Sequence, residues 1–241
     1  MLRALFALCL AATPASATEV DLELVLLADA SGSIDQAEIV FQRQGYAAAM
    51  THPDVLSAIQ STLTGSIAVT YVEWAANQAT VVDWMVIDGP QSAADFAARL
   101  LPPPRLAAGS NAIGAALLEG KRLIEENQIT GLRRVIDFSG DSANNWSGPS
   151  IAAARAEVLA ANITINGLPI LRQDDPGRAQ SDLEAAYAEQ IIGGPGAFVV
   201  TANDRASFAS AVRRKLVLEI AGLVPGANGI ETLSAPTPIT D

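Results

Sequence analysis

Apolar residues dominate Val20 to Ala28, a stretch too short to cross a membrane and too continuous for a half-exposed strand. It predicts a strand buried on both faces. Further along, apolar and polar positions alternate between two periods. Ile67–Ala75 and Thr80–Ile87 read as strands, joined through Ala76-Asn77-Gln78-Ala79 as a hairpin. Arg134–Phe138, Ile163–Ile170 and Ala197–Thr201 are further strand candidates. Helical spacing fits Gln36–Met50, Ser92–Leu101, Asn111–Glu126, Pro149–Ala161, Asp182–Ile192 and Arg205–Ala221. Strands alternating with helices imply βαβ units. The expected fold is α/β: a doubly wound, mainly parallel open sheet with one antiparallel edge strand and helices on both faces.

The ends of the chain read differently from its middle. Arg3, the apolar Ala4–Ala12 and the small residues Ala15-Ser16-Ala17 make the three-part pattern of a secretory signal peptide, residues 1–17. Residues 18–221 form the expected domain. Residues 222–241 are rich in Pro, Thr and Gly and read as a flexible tail. The leader implies a periplasmic or secreted protein. No later segment is long and apolar enough to span a bilayer.

Composition then narrows the chemistry. Lys and Arg number 15 against 26 Asp and Glu, a net charge of −11, and loss of Arg3 with the leader makes the balance one unit more acidic. Such a surface repels nucleic acid and anionic membranes. The single cysteine, Cys9, also leaves with the leader, which excludes disulfides and thiolate chemistry. The single histidine, His52, sits before Pro53 and reads as a helix-end residue.

In an open α/β sheet, ligands bind beyond the carboxyl ends of the strands. Three loops with oxygen-bearing side chains are expected there. Asp29-Ala30-Ser31-Gly32-Ser33 follows the first strand. Gly109-Ser110-Asn111-Ala112-Ile113-Gly114 opens a helix after a proline-rich loop. Ser139-Gly140-Asp141-Ser142-Ala143-Asn144-Asn145 follows the strand Arg134–Phe138. Each alone is ordinary turn and cap chemistry. Together they offer a set of oxygens suited to a hard dication such as Mg²⁺, with Mn²⁺ or Ca²⁺ as alternatives.

The three loops resemble the metal-ion-dependent adhesion site, or MIDAS, of von Willebrand factor A (vWA) domains, whose pattern is Asp-x-Ser-x-Ser, then Thr, then Asp. Asp29, Ser31 and Ser33 match the first element and Asp141 the last. Asn111 stands at the Thr position with Ser110 beside it, so the middle contact would be an amide oxygen or the neighbouring hydroxyl. Val69–Trp74, Val82-Asp83-Trp84 and Ile136–Asp141 followed by Asn144-Asn145 resemble, more narrowly, a secreted bacterial subfamily of vWA domains of unknown function (DUF1194-like).

The resemblance implies a cation bound by Asp29, Ser31, Ser33, Asp141 and either Asn111 or Ser110. The cation would keep one open position for an Asp or Glu carboxylate of a partner protein. Two alternatives stand beside this reading. One is a vWA-like fold whose metal site is degraded, acting as a metal-independent interaction module. The other is a Mg²⁺-dependent phosphatase-like hydrolase, which would want a second acid where Ser31 stands. A serine hydrolase built on Gly140-Asp141-Ser142 lacks a late histidine. No general base accompanies the loops, so no enzyme activity is expected. Trp74 and Trp84 read as packing residues. Trp146 reads as a partner contact or a buried anchor, and Glu73 as an edge residue or an arginine's partner.

Overall fold

The computed structural model describes residues 17–171, 180–226 and 229–232. Most of the expected leader and residues 233–241 of the expected tail lie outside these ranges. Five strands form one sheet: β1 (Thr18–Asp29), β2 (Ile67–Trp74), β3 (Gln78–Ile87), β4 (Ile129–Gly140) and β5 (Thr164–Pro169). Their spatial order is β3-β2-β1-β4-β5. Every pairing is parallel except the β2–β3 hairpin at the edge. The fold is therefore the expected mainly parallel α/β sheet with one antiparallel edge strand.

The helices are α1 (Gln36–Met50), α2 (Pro53–Gln60), α3 (Pro90–Leu100), α4 (Ile113–Glu125), α5 (Ile151–Ala160), α6 (Gln180–Ala186) and α7 (Arg205–Ala221). α6 runs into a π-helical turn, Tyr187–Ile191. The alternation of side chains along β1 divides the core in two. Leu22, Leu24, Leu26 and Ala28 pack with residues of α1, α2, α3 and α7. Val25 and Leu27 pack with α4, α5 and the π-turn. Both faces are thus covered, which is why β1 carries so few polar residues.

Three elements differ from the sequence expectation. α2 is an additional helix: His52 caps it, its Nδ1 accepting from the Asp54 amide at 3.1 Å, and Pro53 takes the first helical position. The stretch Ala197–Thr201 does not become a continuous strand. It touches β5 through isolated bridges, Gly167 to Val199 and Ile170 to Ala202. Pro169 supplies a carbonyl to Ala202 but has no N–H to return, so the ladder breaks there. After α7, Leu223–Gly226 and Gly229–Thr232 pair as a short antiparallel hairpin, β6 and β7, where composition suggests a loose tail.

β1 lies between β2 and β4, and the chain leaves it for opposite sides of the sheet. The crevice beyond its carboxyl end is the topological switch point, the place where such sheets bind ligands. Register puts Asp29 opposite Trp74 of β2, and Ala28 opposite Ser139 of β4. The first and third oxygen-rich loops therefore begin side by side.

Candidate metal centre

Four of the expected residues meet at this crevice. Asp29 is fully buried at the end of β1, and Asp141 is almost so at the end of β4. The Asp141 amide donates to Asp29 Oδ2 at 3.3 Å, and the Ser31 amide donates to Asp29 Oδ1 at 2.7 Å. Ser33 Oγ donates to Asp141 Oδ1 at 3.1 Å and lies 3.3 Å from Ser31 Oγ. Two carboxyls and two hydroxyls, 112 residues apart at the extremes, thus form one connected patch.

Asn111 and Ser110 stand on the wall of a cavity of about 390 Å³ above this patch, which Ser33, Ser142 and Asn144 also line. Asn111 is buried while Ser110 is exposed. The second and third loops are pinned together. The Asn111 carbonyl accepts from the Trp146 amide at 2.8 Å, and Asn145 Oδ1 accepts from the Gly114 amide at 3.1 Å. Trp146 itself is 72% exposed at the cavity rim, so it is no buried anchor. Trp74, by contrast, is buried. It stacks on Phe138 with ring centroids 4.8 Å apart, and its indole N–H donates to the Ser139 carbonyl at 3.0 Å.

Glycine is required at two points. A Cβ on Gly140 would stand 2.8 Å from Asp29 Oδ2 and 2.9 Å from Trp74, so only glycine lets β4 approach the Asp29 carboxylate this closely. Gly109 has φ +109°, and its carbonyl accepts from the Gly32 amide at 2.8 Å, joining the second loop to the first.

Sequence reasoning missed Arg105 and Arg43, which brace these loops, and left Glu73 as either an edge residue or an arginine's partner. Arg105 wraps the first loop from outside: its guanidinium donates to the carbonyls of Ala30, Ser31 (2.9 Å) and Ile34 (2.8 Å). Arg43 of α1 forms a buried ion pair with Glu73 of β2 at 2.6 Å and also donates to the carbonyls of Pro103 and Pro104. The other Glu73 oxygen accepts from the Leu106 amide at 2.8 Å. Glu73 is therefore an arginine's partner that holds the proline-rich loop. The available signals were an arginine directly after three prolines, and single charges within apolar segments.

Electrostatics make the patch suited to a cation. Burial, and then the charge of nearby Asp141, push the Asp29 carboxyl up to about 7. A bound dication would relieve that repulsion. The side-chain donors are all oxygens, two of them anionic, as a hard dication requires. Asp29 and Asp141 would supply charge, Ser31 and Ser33 neutral ligands, and Asn111 or Ser110 the contact from the cavity wall. Among the described residues no group of three or more His, Cys, Asp or Glu could hold a metal, so any site here depends on hydroxyl and amide oxygens.

A sequence-family comparison matches residues 19–224 to a family described as protein of unknown function, DUF1194. The chain belongs to the DUF1194 family. No protein of curated function matches it significantly in sequence. Solved structures match it in fold. The pilus adhesin SpaC from Lactobacillus rhamnosus GG superposes with a TM-score of 0.58 at 12% identity, over 83% of this chain and 31% of the adhesin. Proximal thread matrix protein 1 from the mussel byssus, in a structure with a zinc-occupied MIDAS motif, gives 0.59 at 18% identity, over 87% of this chain and 50% of that one. A von Willebrand factor type A protein from Catenulispora acidiphila gives 0.54 at 16% identity, over 85% and 43%. This DUF1194 chain therefore has a vWA-type fold and spans about a third to a half of the length of these proteins.

Proposed function

We propose that this DUF1194 domain is an exported vWA-like module that holds a divalent cation and uses it to dock a partner protein. The observation that carries the reading is the connected patch of Asp29, Ser31, Ser33 and Asp141, which reaches a cavity through Ser33. When bound, the cation would supply positive charge with an open coordination position. The chain's own residues do the rest. The two carboxylates and two hydroxyls orient the site, Asn111 and Ser110 face it from the wall, and exposed Trp146 offers apolar contact beside it. Tryptophan at the edge of a polar pocket is a frequent anchor in protein interfaces. The zinc-occupied MIDAS of the byssus protein, in the same fold, supports the metal, and the adhesin likeness supports protein docking. Mg²⁺ is the favoured ion by donor chemistry, with Mn²⁺ and Ca²⁺ as the other candidates.

We read the module as a binder rather than an enzyme, because both carboxyls of the patch are tied to neighbouring amides and hydroxyls and would be committed to the cation. His52 is engaged elsewhere: its Nδ1 caps α2, and its Nε2 lies 2.9 Å from Arg213 of α7. The leader-like pattern of residues 1–17 favours export to the periplasm or beyond. Among the described residues no helix is long and apolar enough to cross a membrane.

One experiment tests the reading. Metal-free protein is titrated with Mg²⁺, Mn²⁺ and Ca²⁺ while Trp146 fluorescence is followed, then with acidic peptides in the presence and absence of the bound ion. Metal-dependent capture of carboxylate peptides is expected. Peptide capture indifferent to metal would favour the metal-independent module, for which Asn111 at the Thr position is the specific motive. Hydrolysis of a phosphomonoester would favour the phosphatase-like alternative.

A further inference from the structure

A second polar cluster lies away from the crevice, on the α7 face of the sheet, and the docking reading leaves it unused. Lys215 and Glu219 are one turn apart on α7, Asp137 projects from β4, and Asn166 from β5. All four are at most 3% exposed. Lys215 Nζ lies 2.7 Å from Asp137 Oδ1 and makes a still shorter contact with Glu219 Oε1. Asn166 Nδ2 donates to the same Glu219 oxygen at 2.9 Å, while Asn166 Oδ1 accepts from the Phe198 amide at 3.1 Å. The Phe198 ring centroid is 5.7 Å from Nζ.

Two buried carboxyls share one ammonium, and desolvated charges are costly even when paired. Among the described residues, Glu219 Oε2 accepts no hydrogen bond. The amine lies against the Asp137 carboxyl. Adding one carbon–oxygen bond length to the 2.7 Å contact puts Nζ within about 4 Å of Asp137 Cγ. That is close to the ~3–3.5 Å of a near-attack arrangement. Burial raises the Asp137 carboxyl and, with Asp137's charge, raises Glu219 to about 7. Glu219 can therefore take up and release a proton near neutral pH beside the amine.

We propose that Lys215 and Asp137 condense into an intramolecular amide that joins α7 to β4, with Glu219 as the proton carrier. Glu219 passes its proton to the Asp137 carboxylate and takes one from the Lys215 ammonium. The neutral amine then attacks Asp137 Cγ. A carbon–nitrogen bond forms, a carbon–oxygen bond breaks, and the hydroxyl departs with the second amine proton as water. Ammonium and carboxylate become amide and water, Glu219 ends as it began, and no other reactant is required. The product replaces two buried charges with one neutral group, which an apolar core favours. Asn166 acts as a positioning residue, holding Glu219 Oε1 against the amine.

Peptide mapping of the exported full chain tests this directly. Trypsin cuts after Arg134, Arg155 and Arg214, and it cuts after Lys215 only if that amine is free. The expected product is peptide 135–155 branched onto peptide 215–241, lighter than the two together by one water. Separate peptides 135–155 and 216–241 would overturn the proposal. A branch formed by loss of ammonia, on the peptide containing Asn166, would equally overturn the assignment to Asp137. Asp137→Ala should show no branched peptide. Glu219→Gln, nearly the same shape, should lower the branched fraction at least about tenfold in protein whose circular dichroism matches the wild type. Undiminished branching in that variant would remove Glu219 from the reaction.

Discussion

Asp29 and Asp141 at the loop end of the sheet, and Asp137 and Glu219 beneath α7, pose one electrostatic problem in two surroundings. Each pair is buried, and in each a carboxyl is pushed up to about 7. The first pair is bordered by hydroxyls, and one of them, Ser33, lines a cavity. The second is sealed under a helix and brings its own cation, Lys215. A pair that reaches a cavity through a bordering hydroxyl can recruit its counter-charge and so can be switched by a ligand. A sealed pair must carry its counter-charge in the sequence, and it then contributes to architecture rather than to binding.

The largest expected effect breaks the sealed side. Lys215→Ala leaves two buried carboxyls with neither a cation nor the proposed amide and should destabilise the domain by about 3–5 kcal/mol, read from denaturant unfolding. The same change should leave metal affinity in the surviving folded protein unaltered.

Stability against pH separates the two pairs. Asp29 has a folded-state pKa above its ordinary 3.8. The folded state therefore binds that proton more tightly than the unfolded chain. The resulting stability is fully present below about pH 4 and is lost as pH rises toward 7, a difference of a few kcal/mol. Glu219 adds a loss of the same sign. Saturating metal should abolish the Asp29 part and leave the Glu219 part. Melting curves from pH 4 to 8, with metal and with chelator, should therefore diverge as pH rises. Asp29→Asn should remove the divergence, and Glu219→Gln should preserve it.

Gly140→Ala sharpens the open side. The added methyl meets Asp29 and Trp74 at under 3 Å. A loss of about 1–3 kcal/mol is expected in thermal or denaturant unfolding, together with weaker metal binding in calorimetry. A smaller effect is expected at the cavity wall. Asn111→Thr should strengthen metal binding by less than about tenfold, or ~1.4 kcal/mol, if the amide is the middle ligand, and should change nothing if Ser110 makes that contact.

Much of the fold was legible because β1 is apolar on both faces and because strands alternate with helices of the right length. The three oxygen-rich loops could be placed at one sheet edge by order alone, and Asp29, Ser31, Ser33 and Asp141 do meet there. The braces were not legible. Nothing local links Arg105 to the carbonyls of residues 30, 31 and 34, or Arg43 to Glu73, because both depend on how the proline-rich loop folds back. The sealed cluster was equally hidden. Asp137, Asn166, Lys215 and Glu219 come from three separate elements, and only α7's docking brings them together. The broken strand at Ala197–Thr201 failed for a nameable reason, the missing N–H of Pro169 in its neighbour.

The most direct measurement is the melting temperature at pH 7.5 of metal-stripped wild type and Asp29→Asn, each with chelator and with millimolar Mg²⁺. The account expects Mg²⁺ to raise the wild-type value by several degrees and to leave Asp29→Asn unmoved. Equal wild-type values in chelator and in metal, repeated with Mn²⁺ and Ca²⁺, would contradict a cation site at the end of β1.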